Sequence, residues 1–174
     1  MKIEEIAALI RDIPDFPKKG IIFKDITPVL KSSEAFESLI DLLCEPYLDN
    51  PPDFIAGIES RGFIFGAAMA LKLSCGFIPI RKKGKLPYKT FEASYSLEYG
   101  TATLEIHTDA LENGNRVVVI DDLLATGGTA SAGIELLEKV GADVIGIDFV
   151  VELCFLSGIS KFSSDKVRTL IKIK

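Results

Sequence analysis

The stretch that decides the fold is RVVVIDDLLATGGTASAGIELLEKVGA, residues 116–142. It opens with a continuous apolar run at 116–120, which predicts a buried strand. Asp121 and Asp122 follow, then a loop with two glycines, then a helix from about residue 128 to 140. Strand, short loop and helix in this order are typical of a parallel sheet covered by helices. Ligands of such sheets bind beyond the carboxyl ends of the strands.

The loop after this strand has the composition of a phosphate-binding site. Gly127 and Gly128 let the main chain approach a ligand and turn its N–H groups inward, and the helix start adds partial positive charge. Thr126 and Thr129 add hydroxyl donors. It is not a Walker loop, because no lysine follows the glycines, and it lacks the GxGxxG spacing. We therefore expect the segment from Ala125 to Thr129 to bind a phosphate monoester.

The two carboxylates before the loop predict a different contact. Asp121 and Asp122 would repel a phosphate, but they can accept hydrogen bonds from vicinal ribose hydroxyls or contact Mg²⁺ or its waters. A phosphate site beside a diol site indicates a ribose 5-phosphate ligand. The alternative is a helix start with acidic capping residues and a glycine turn, without a ligand.

Further apolar runs alternate with helices along the chain. Strands are predicted at 53–58, 77–82, 143–153 and 167–173, with a helix from Gly62 to Leu73. Residues 83–95 are polar and read as a long loop of the kind that often covers active sites. After them, apolar and polar residues alternate over 102–107, which predicts an antiparallel excursion from the parallel sheet. The polar residues in that alternation are Thr103, Glu105 and His107, and we expect the His107 side chain to be solvated.

The N-terminal third is predicted to be helical at both ends with a shaped loop between. Ile3, Ile6, Ala7, Ile10 and Ile13 recur at helical spacing, which predicts an amphipathic helix ended by two prolines. The segment FPKKGIIFKDITP (16–28) then predicts a loop with a short extended piece. A second helix follows, for which Ser33 is the expected N-cap.

Composition limits the classes of function. The 174 residues carry 20 basic and 25 acidic side chains, a net charge of −5, which argues against binding to nucleic acid. Cys44, Cys75 and Cys154 are far apart and odd in number, so we expect free, buried thiols in a reducing compartment and no metal cage. Neither a signal peptide nor a membrane span is predicted. We expect a cytoplasmic protein.

Residues 121–129 closely resemble the phosphoribosyl pyrophosphate motif of the type I phosphoribosyltransferases. Three other segments resemble adenine phosphoribosyltransferases within that family: FPKKGIIFKDITP their purine-binding hood, GIESRGFIFG their pyrophosphate loop, and IRKKGKLP…ASYSLEYG their flexible catalytic loop. The likeness runs from about Pro14 to Leu153. It implies one α/β domain over 1–174 with the type I parallel sheet, flanking helices, a small hood at about 1–35 and an antiparallel lid excursion at about 83–100.

The resemblance assigns pyrophosphate binding to two basic segments. In IESRG, Ser60 and Arg61 follow a strand and precede a helix, and a guanidinium can bind two pyrophosphate oxygens at once. Arg81 and Lys85 belong to a basic run at the next strand end, and the resemblance places both near the pyrophosphate, within one subunit or across a dimer interface. The alternatives are a surface ion pair for Arg61 and a solvated loop for some of the basic run.

The resemblance also implies how adenine is held and activated. It places the base against the main chain of Ile22 and Lys24, between Phe23 and Leu123. Lys24 stands where many members carry arginine, which matters only if the side chain contacts the base. The implied acid–base residue is Glu98, with Tyr99 helping to close the lid. Without the resemblance, Glu98 would be a solvent-facing hairpin residue.

The implied reaction joins adenine to phosphoribosyl pyrophosphate, giving AMP and pyrophosphate. Mg²⁺ is the expected cofactor, held mainly through the substrate, and a homodimer is expected from the family alone. The nearest alternative is a phosphoribosyltransferase for guanine, hypoxanthine or xanthine. A phosphoribosyl pyrophosphate sensor is a second, and a plain structural module a third. The lone histidine, His107, disfavours a hydrolase with a catalytic histidine.

Overall fold

The computed structural model describes residues 1–96 and 100–174. The chain divides into two compact units, Met1–Glu45 and Pro46–Lys174. Glu98 and Tyr99, for which the sequence predicts roles in catalysis and lid closure, lie outside the described residues.

The N-terminal unit is a small hairpin with three helices. Its elements are α1 (Ile3–Ala7), β1 (Arg11–Pro14), β2 (Ile22–Asp25), α2 (Thr27–Lys31) and α3 (Ser33–Cys44). The strands pair antiparallel, so the short extended piece predicted in FPKKGIIFKDITP is confirmed as β2. Ser32 caps α3, since its Oγ accepts the N–H of Ala35 at 3.2 Å. The prediction of Ser33 as the cap was wrong by one residue.

The prediction of one long N-terminal helix was wrong beyond Ala7. Residues 11–14 form β1 instead, with Arg11 opposite Asp25 and Asp12 opposite Lys24. Both cross-strand pairs are of opposite charge, and Lys24 Nζ lies 2.6 Å from Asp12 Oδ1. Such pairs stabilise a hairpin, whereas a helix of about a dozen residues is marginal by itself. The helical spacing of the isoleucines was therefore overridden by strand pairing.

The larger unit is built on a seven-stranded sheet. Its order is β5-β6-β4-β3-β7-β8-β9. The strands β4, β3, β7, β8 and β9 run parallel, while β6 pairs antiparallel with both β4 and β5. The parallel sheet and its antiparallel excursion are confirmed. The elements are β3 (Phe54–Ile58), α4 (Gly62–Leu73), β4 (Gly76–Lys82), β5 (Thr90–Ser96), β6 (Thr101–His107), β7 (Arg116–Leu124), α5 (Gly128–Lys139), β8 (Asp143–Leu153) and β9 (Val167–Ile173).

The helices α4 and α5 cover opposite faces of this sheet. A Cβ added to Gly57 of β3 would lie 3.1 Å from the carbonyl oxygen of Gly62 in α4. The next residue, Ile58, brings its Cδ1 to 3.3 Å from a Cβ added to Gly133 of α5. Because successive strand residues point to opposite faces, the two helices sandwich β3. The near-continuous apolar composition of the parallel strands follows from this double burial.

The predicted polar face of β6 is only partly exposed. Glu105 belongs to the polar set of the alternation, yet it is 3% exposed, because the loop after β4 covers it and donates backbone N–H groups to its carboxylate. His107 is half-buried, and its Nε2 is buried with no hydrogen-bond partner in the part of the chain that the structure describes. The predicted lid also contains regular structure, since residues 90–96 form β5.

The remaining sequence predictions concern thiols and membrane spans. The three cysteines are free, with Cys44 buried and Cys75 and Cys154 half-buried. Among residues 1–96 and 100–174, no helix has the length and apolar character needed to span a bilayer.

A buried charge cluster ties β8 to β9. Asp148, only 1% exposed, lies directly opposite Arg168. The guanidinium donates from Nε to Oδ1 at 3.0 Å and from Nη2 to Oδ2 at 2.7 Å. Tyr47 donates its hydroxyl to the same carboxylate at 3.1 Å. Burial raises the pKa of Asp148, although Arg168 opposes the rise.

Replacing Arg168 with leucine is expected to lower the free energy of unfolding by about 3 kcal/mol at pH 7, because the buried Asp148 carboxylate then lacks its cation. Without Arg168 the folded-state pKa of Asp148 rises further above its unfolded value. Stability is therefore regained as the pH falls and the carboxylate takes up a proton. Urea unfolding at pH 7 and pH 5 measures both effects.

The matched control is Lys139→Leu, which removes a cation from an exposed helical ion pair with Glu135. It should change stability by less than about 0.5 kcal/mol. Equal losses in the two variants would contradict a special role for the buried pair.

Candidate functional site

A cavity of 60 Å³ opens at the carboxyl end of β7. It brings together Asp121, Leu123 and all five residues predicted to bind the 5-phosphate. The helix α5 begins in this loop, and Gly127 adopts a φ of +77° at its N-terminus. That backbone conformation favours glycine and lets the first turn of α5 direct its N–H groups into the cavity. The full lining is Asp121, Leu123, Leu124, Ala125, Thr126, Gly127, Gly128, Thr129, Ala130 and Phe149.

The two aspartates predicted to share one diol have different neighbours. Asp121 lines the cavity. Asp122, the next residue of the strand, is 5% exposed, and its Oδ2 lies 3.0 Å from Nε of Arg61, at the start of α4. The two carboxylates are also within hydrogen-bonding reach of each other, so the pair links the cavity to the predicted pyrophosphate turn.

The predicted pyrophosphate turn packs directly on the predicted ribose site. Ser60 and Arg61 lie in the turn between β3 and α4, and the helix begins at Gly62. A Cβ at Gly62 would lie 2.8 Å from the carbonyl oxygen of Ile120 and 3.1 Å from Oδ1 of Asp121. Only glycine leaves room for this approach, so the helix start and the acidic strand end touch.

Both aspartates have raised pKa values. Burial, and next the neighbouring Asp122 charge, raise the pKa of Asp121 well above its usual range. Burial also raises the pKa of Asp122, while the Arg61 charge works in the opposite direction. Two adjacent carboxylates at a desolvated strand end cannot both ionise as freely as in water. The ionised fraction of the Asp121 carboxyl should therefore change with the charge and the hydrogen-bond donors of any ligand in the cavity.

The basic run after β4 is held by two further carboxylates. Arg81 places Nε 3.2 Å from Oε2 of Glu59, which also accepts the backbone N–H of Lys82 at 3.0 Å. The Nη1 of Arg81 donates to the carbonyl oxygen of Lys85 at 3.1 Å. The Lys85 and Leu86 amides in turn donate to Glu105. The fold thus brings Arg81 and Lys85 together through contacts that the sequence did not reveal.

Two residues that support the Ala125–Thr129 loop from behind, Gly158 and Lys161, were not predicted from the sequence. A Cβ added to Gly158 would overlap the carbonyl oxygen of Ala125, at 2.1 Å, and lie 2.9 Å from the backbone nitrogen of Gly127. Lys161 places its Cδ 3.3 Å from a Cβ added to Gly127. The segment after β8 therefore supports the loop from behind. Nothing in its local sequence signals this contact, whereas Glu59 adjoins the recognised IESRG turn and could have been noticed.

The predicted base-binding residues of the N-terminal unit lie on β2. Ile22 is 55% exposed, whereas Phe23 and Lys24 are half-buried. The Phe23 ring meets the edge of Phe16 at a centroid distance of 5.2 Å. The Lys24 ammonium is paired with Asp12. Leu123, the fourth predicted residue, belongs to the larger unit and lines the phosphate cavity.

Comparison with known proteins identifies the family. Residues 28–161 match the phosphoribosyl transferase domain. An adenine phosphoribosyltransferase of Acidothermus cellulolyticus is 51% identical over 170 residues, covering 98% of this chain and 96% of the relative. One of Thermotoga maritima is 53% identical over 167 residues, covering 96% of each chain.

Solved structures agree over the whole chain. The adenine phosphoribosyltransferase of Thermoanaerobacter pseudethanolicus superposes with a TM-score of 0.94 at 52% identity, covering 99% of this chain and 100% of that one. The enzyme of Saccharomyces cerevisiae, solved with adenine and an imino-altritol bisphosphate, has a TM-score of 0.91 at 42% identity, covering 97% of each chain. This chain therefore belongs to the phosphoribosyltransferase family, among its adenine phosphoribosyltransferases.

Proposed function

We propose that this chain transfers the 5-phosphoribosyl group from phosphoribosyl pyrophosphate to adenine, giving AMP and pyrophosphate. One observation carries the sugar half of the proposal. The cavity that holds the phosphate-type loop also holds Asp121, and the Ser60–Arg61 turn packs against that residue through Gly62. Sites for a phosphate, a diol and a second anionic group therefore meet at one sheet edge. The names of the relatives supply adenine as the acceptor.

The 5-phosphate binds to the Ala125–Thr129 loop, whose N–H groups and α5 N-terminus favour a dianion. Asp121 accepts a hydrogen bond from a ribose hydroxyl. Asp122 also orients Arg61, because its carboxylate contacts the guanidinium. The hypothesis that both aspartates contact the diol stays a prediction.

The pyrophosphate lies between the Ser60–Arg61 turn and the basic run. Arg61 and Arg81 each contact a carboxylate of the protein, so both guanidinium groups are held near the place where the leaving group departs. As the bond from C1′ to the pyrophosphate oxygen breaks, negative charge grows on that oxygen. Fixed cations stabilise this charge more in the transition state than in the ground state.

Adenine attacks C1′ through N9, and the N9 proton has to leave as the new bond forms. Glu98 is the residue proposed to accept it, as the family resemblance implies. The main chain of Ile22 and Lys24 distinguishes a 6-amino from a 6-oxo purine, because a mispaired buried edge costs about 1–3 kcal/mol. Tyr99 and the segment at about 83–100 exclude water, which would otherwise hydrolyse the activated sugar.

The residues present suit Mg²⁺ held through the substrate. Among residues 1–96 and 100–174, no three carboxylate, imidazole or thiol groups gather as a ligand set, while Asp121 offers carboxylate oxygens at the cavity. Oxygen donors with few protein ligands and several waters are typical of Mg²⁺. When bound, the ion neutralises charge on the pyrophosphate. A homodimer and a cytoplasmic location remain predictions from the family and the composition.

AMP formation tests the proposal directly. The purified protein, with phosphoribosyl pyrophosphate and Mg²⁺, is expected to consume adenine and leave guanine, hypoxanthine and xanthine unchanged at the same concentration. Chromatographic detection of the nucleotide product decides between the bases. Turnover of a 6-oxopurine instead would reject the assignment of the base. Binding of the sugar ligand without any turnover would favour a sensor.

Glu98→Gln should slow AMP formation about 10²–10⁴-fold, because the amide cannot accept the N9 proton. Calorimetric affinity for ribose 5-phosphate should stay unchanged, since that ligand lacks the base. Glu112→Gln, which neutralises an exposed glutamate after β6, is the control and should behave as the unmodified protein. Near-normal turnover of the Glu98 variant would remove its acid–base role.

Ribose 5-phosphate should bind more tightly as the pH rises through the raised pKa of Asp121. In the free protein this carboxyl keeps its proton to an unusually high pH, and hydrogen bonds from the ribose hydroxyls favour the ionised form. Binding therefore releases a proton. Calorimetry in buffers of different ionisation enthalpy measures the release.

In Asp121→Asn, binding of ribose 5-phosphate should release only protons from the ligand phosphate, because the asparagine has none to give up. The affinity for ribose 5-phosphate should also fall. Asp143→Asn, at the exposed start of β8, should match the unmodified protein. Identical proton release in all three proteins would show that Asp121 does not meet the diol.

A further inference from the structure

Glu105 is a buried carboxylate that the proposed chemistry does not use. It lies on β6, directly opposite Arg81 of β4, and is 3% exposed. An acidic side chain is rarely buried to this degree unless its oxygens are hydrogen-bonded. The partners of Glu105 are main-chain groups of the loop that follows β4.

The contacts of Glu105 fix three consecutive residues of that loop. Its Oε1 accepts the N–H of Lys85 and the N–H of Leu86, each at 2.7 Å. Burial acts to raise the pKa of Glu105, but the backbone N–H groups of Leu86, Gly84 and Lys85 outweigh it and hold the pKa below its usual value. The carboxylate is therefore ionised at neutral pH, and its bonds to the loop are charge-assisted.

The same loop is fixed to Arg81 from its other side. The Nη1 of Arg81 donates to the Lys85 carbonyl at 3.1 Å, while its Nε pairs with Glu59. The peptide groups of Lys85 are thus held on both edges, the N–H by Glu105 and the carbonyl by Arg81. A continuous chain of polar contacts runs from the end of β3 through Arg81 and the loop to β6.

We propose that Glu105 is a positioning residue for pyrophosphate, acting through the main chain of Lys85 and Leu86. It presents no group to the substrate. It sets where the loop leaves β4, and therefore where Lys85 and the guanidinium of Arg81 stand. This inference rests on the proposed function, since it needs pyrophosphate to bind at Arg81 and Lys85.

Two variants separate the carboxylate's contacts from its bulk. Glu105→Met keeps an unbranched side chain of similar length and removes both acceptor oxygens. Glu105→Gln keeps one carbonyl oxygen that can still accept the two N–H groups, without the charge. The control is Glu112→Gln, because Glu112 is an exposed glutamate that follows β6 and lies outside both the lid and the loop after β4.

Calorimetric binding of magnesium pyrophosphate and, separately, of ribose 5-phosphate is the decisive measurement. Pyrophosphate affinity should fall about ten- to a hundredfold in Glu105→Met, and by less in Glu105→Gln, since loss of a charged hydrogen-bond partner costs more than its replacement by a neutral one. Ribose 5-phosphate affinity should not change, because the Ala125–Thr129 loop follows β7, which is separated from β4 by β3 in the sheet. In turnover, KM for phosphoribosyl pyrophosphate should rise more than kcat falls.

The outcomes distinguish this inference from the proposed function. If the unmodified protein binds neither magnesium pyrophosphate nor ribose 5-phosphate, the proposed function itself is contradicted. If it binds both and Glu105→Met keeps its pyrophosphate affinity, the positioning role is overturned. Equal loss of both affinities in Glu105→Met and Glu105→Gln would indicate general damage to the fold and would also overturn it. The Glu112→Gln control should match the unmodified protein throughout.

Discussion

The missing side chain at Gly62 is the constraint on which the site depends. With no Cβ, the start of α4 comes within van der Waals contact of the Ile120 carbonyl and the Asp121 carboxylate. That approach joins the turn after β3 to the end of β7, two neighbouring strands of the parallel sheet. A methyl group there would have to displace backbone, which a packed interior resists. The adjacency of Arg61 and Asp122 follows from the same contact.

Charge compensation is the means by which an acidic protein can prepare the proposed polyanion site. The chain carries a net charge of −5, yet each arginine of the proposed site stands next to a carboxylate, Arg61 by Asp122 and Arg81 by Glu59. The raised pKa of Asp121 removes part of the remaining negative charge from the cavity. On the proposed function, this lowers the repulsion that a phosphate meets when it binds. Ion pairs of this kind contribute little net stability when partly exposed, and their value here is the fixed placement of the guanidinium groups.

The sequence predicted the parts of this structure that depend on local pattern. The apolar runs of β8 and β9 and the helix from Gly62 to Leu73 were predicted with the boundaries they have, because buried parallel strands and their helices carry strong period signals. The helix predicted through residues 11–14 was wrong, because Arg11 and Asp12 pair with β2, which is distant in the local pattern. Local pattern also gave no sign that Glu105 is buried. Alternation puts this residue on one face of β6, but a loop distant in sequence decides that the face is covered. Gly158 supports the phosphate loop without any local signal, for the same reason.

The antiparallel excursion links two parts of the proposed chemistry. The strand β6 carries Glu105, whose carboxylate holds the loop with Lys85, and Glu98 precedes the same strand by three residues. Because β6 pairs with both β4 and β5, its register along β4 fixes the position of Thr101, where the strand begins. On the proposed assignment, the strand that orders the loop with Lys85 therefore begins three residues after the acid–base residue. Departure of pyrophosphate and transfer of the N9 proton both act at C1′, and so short a stretch of chain limits how far apart their two sites can lie.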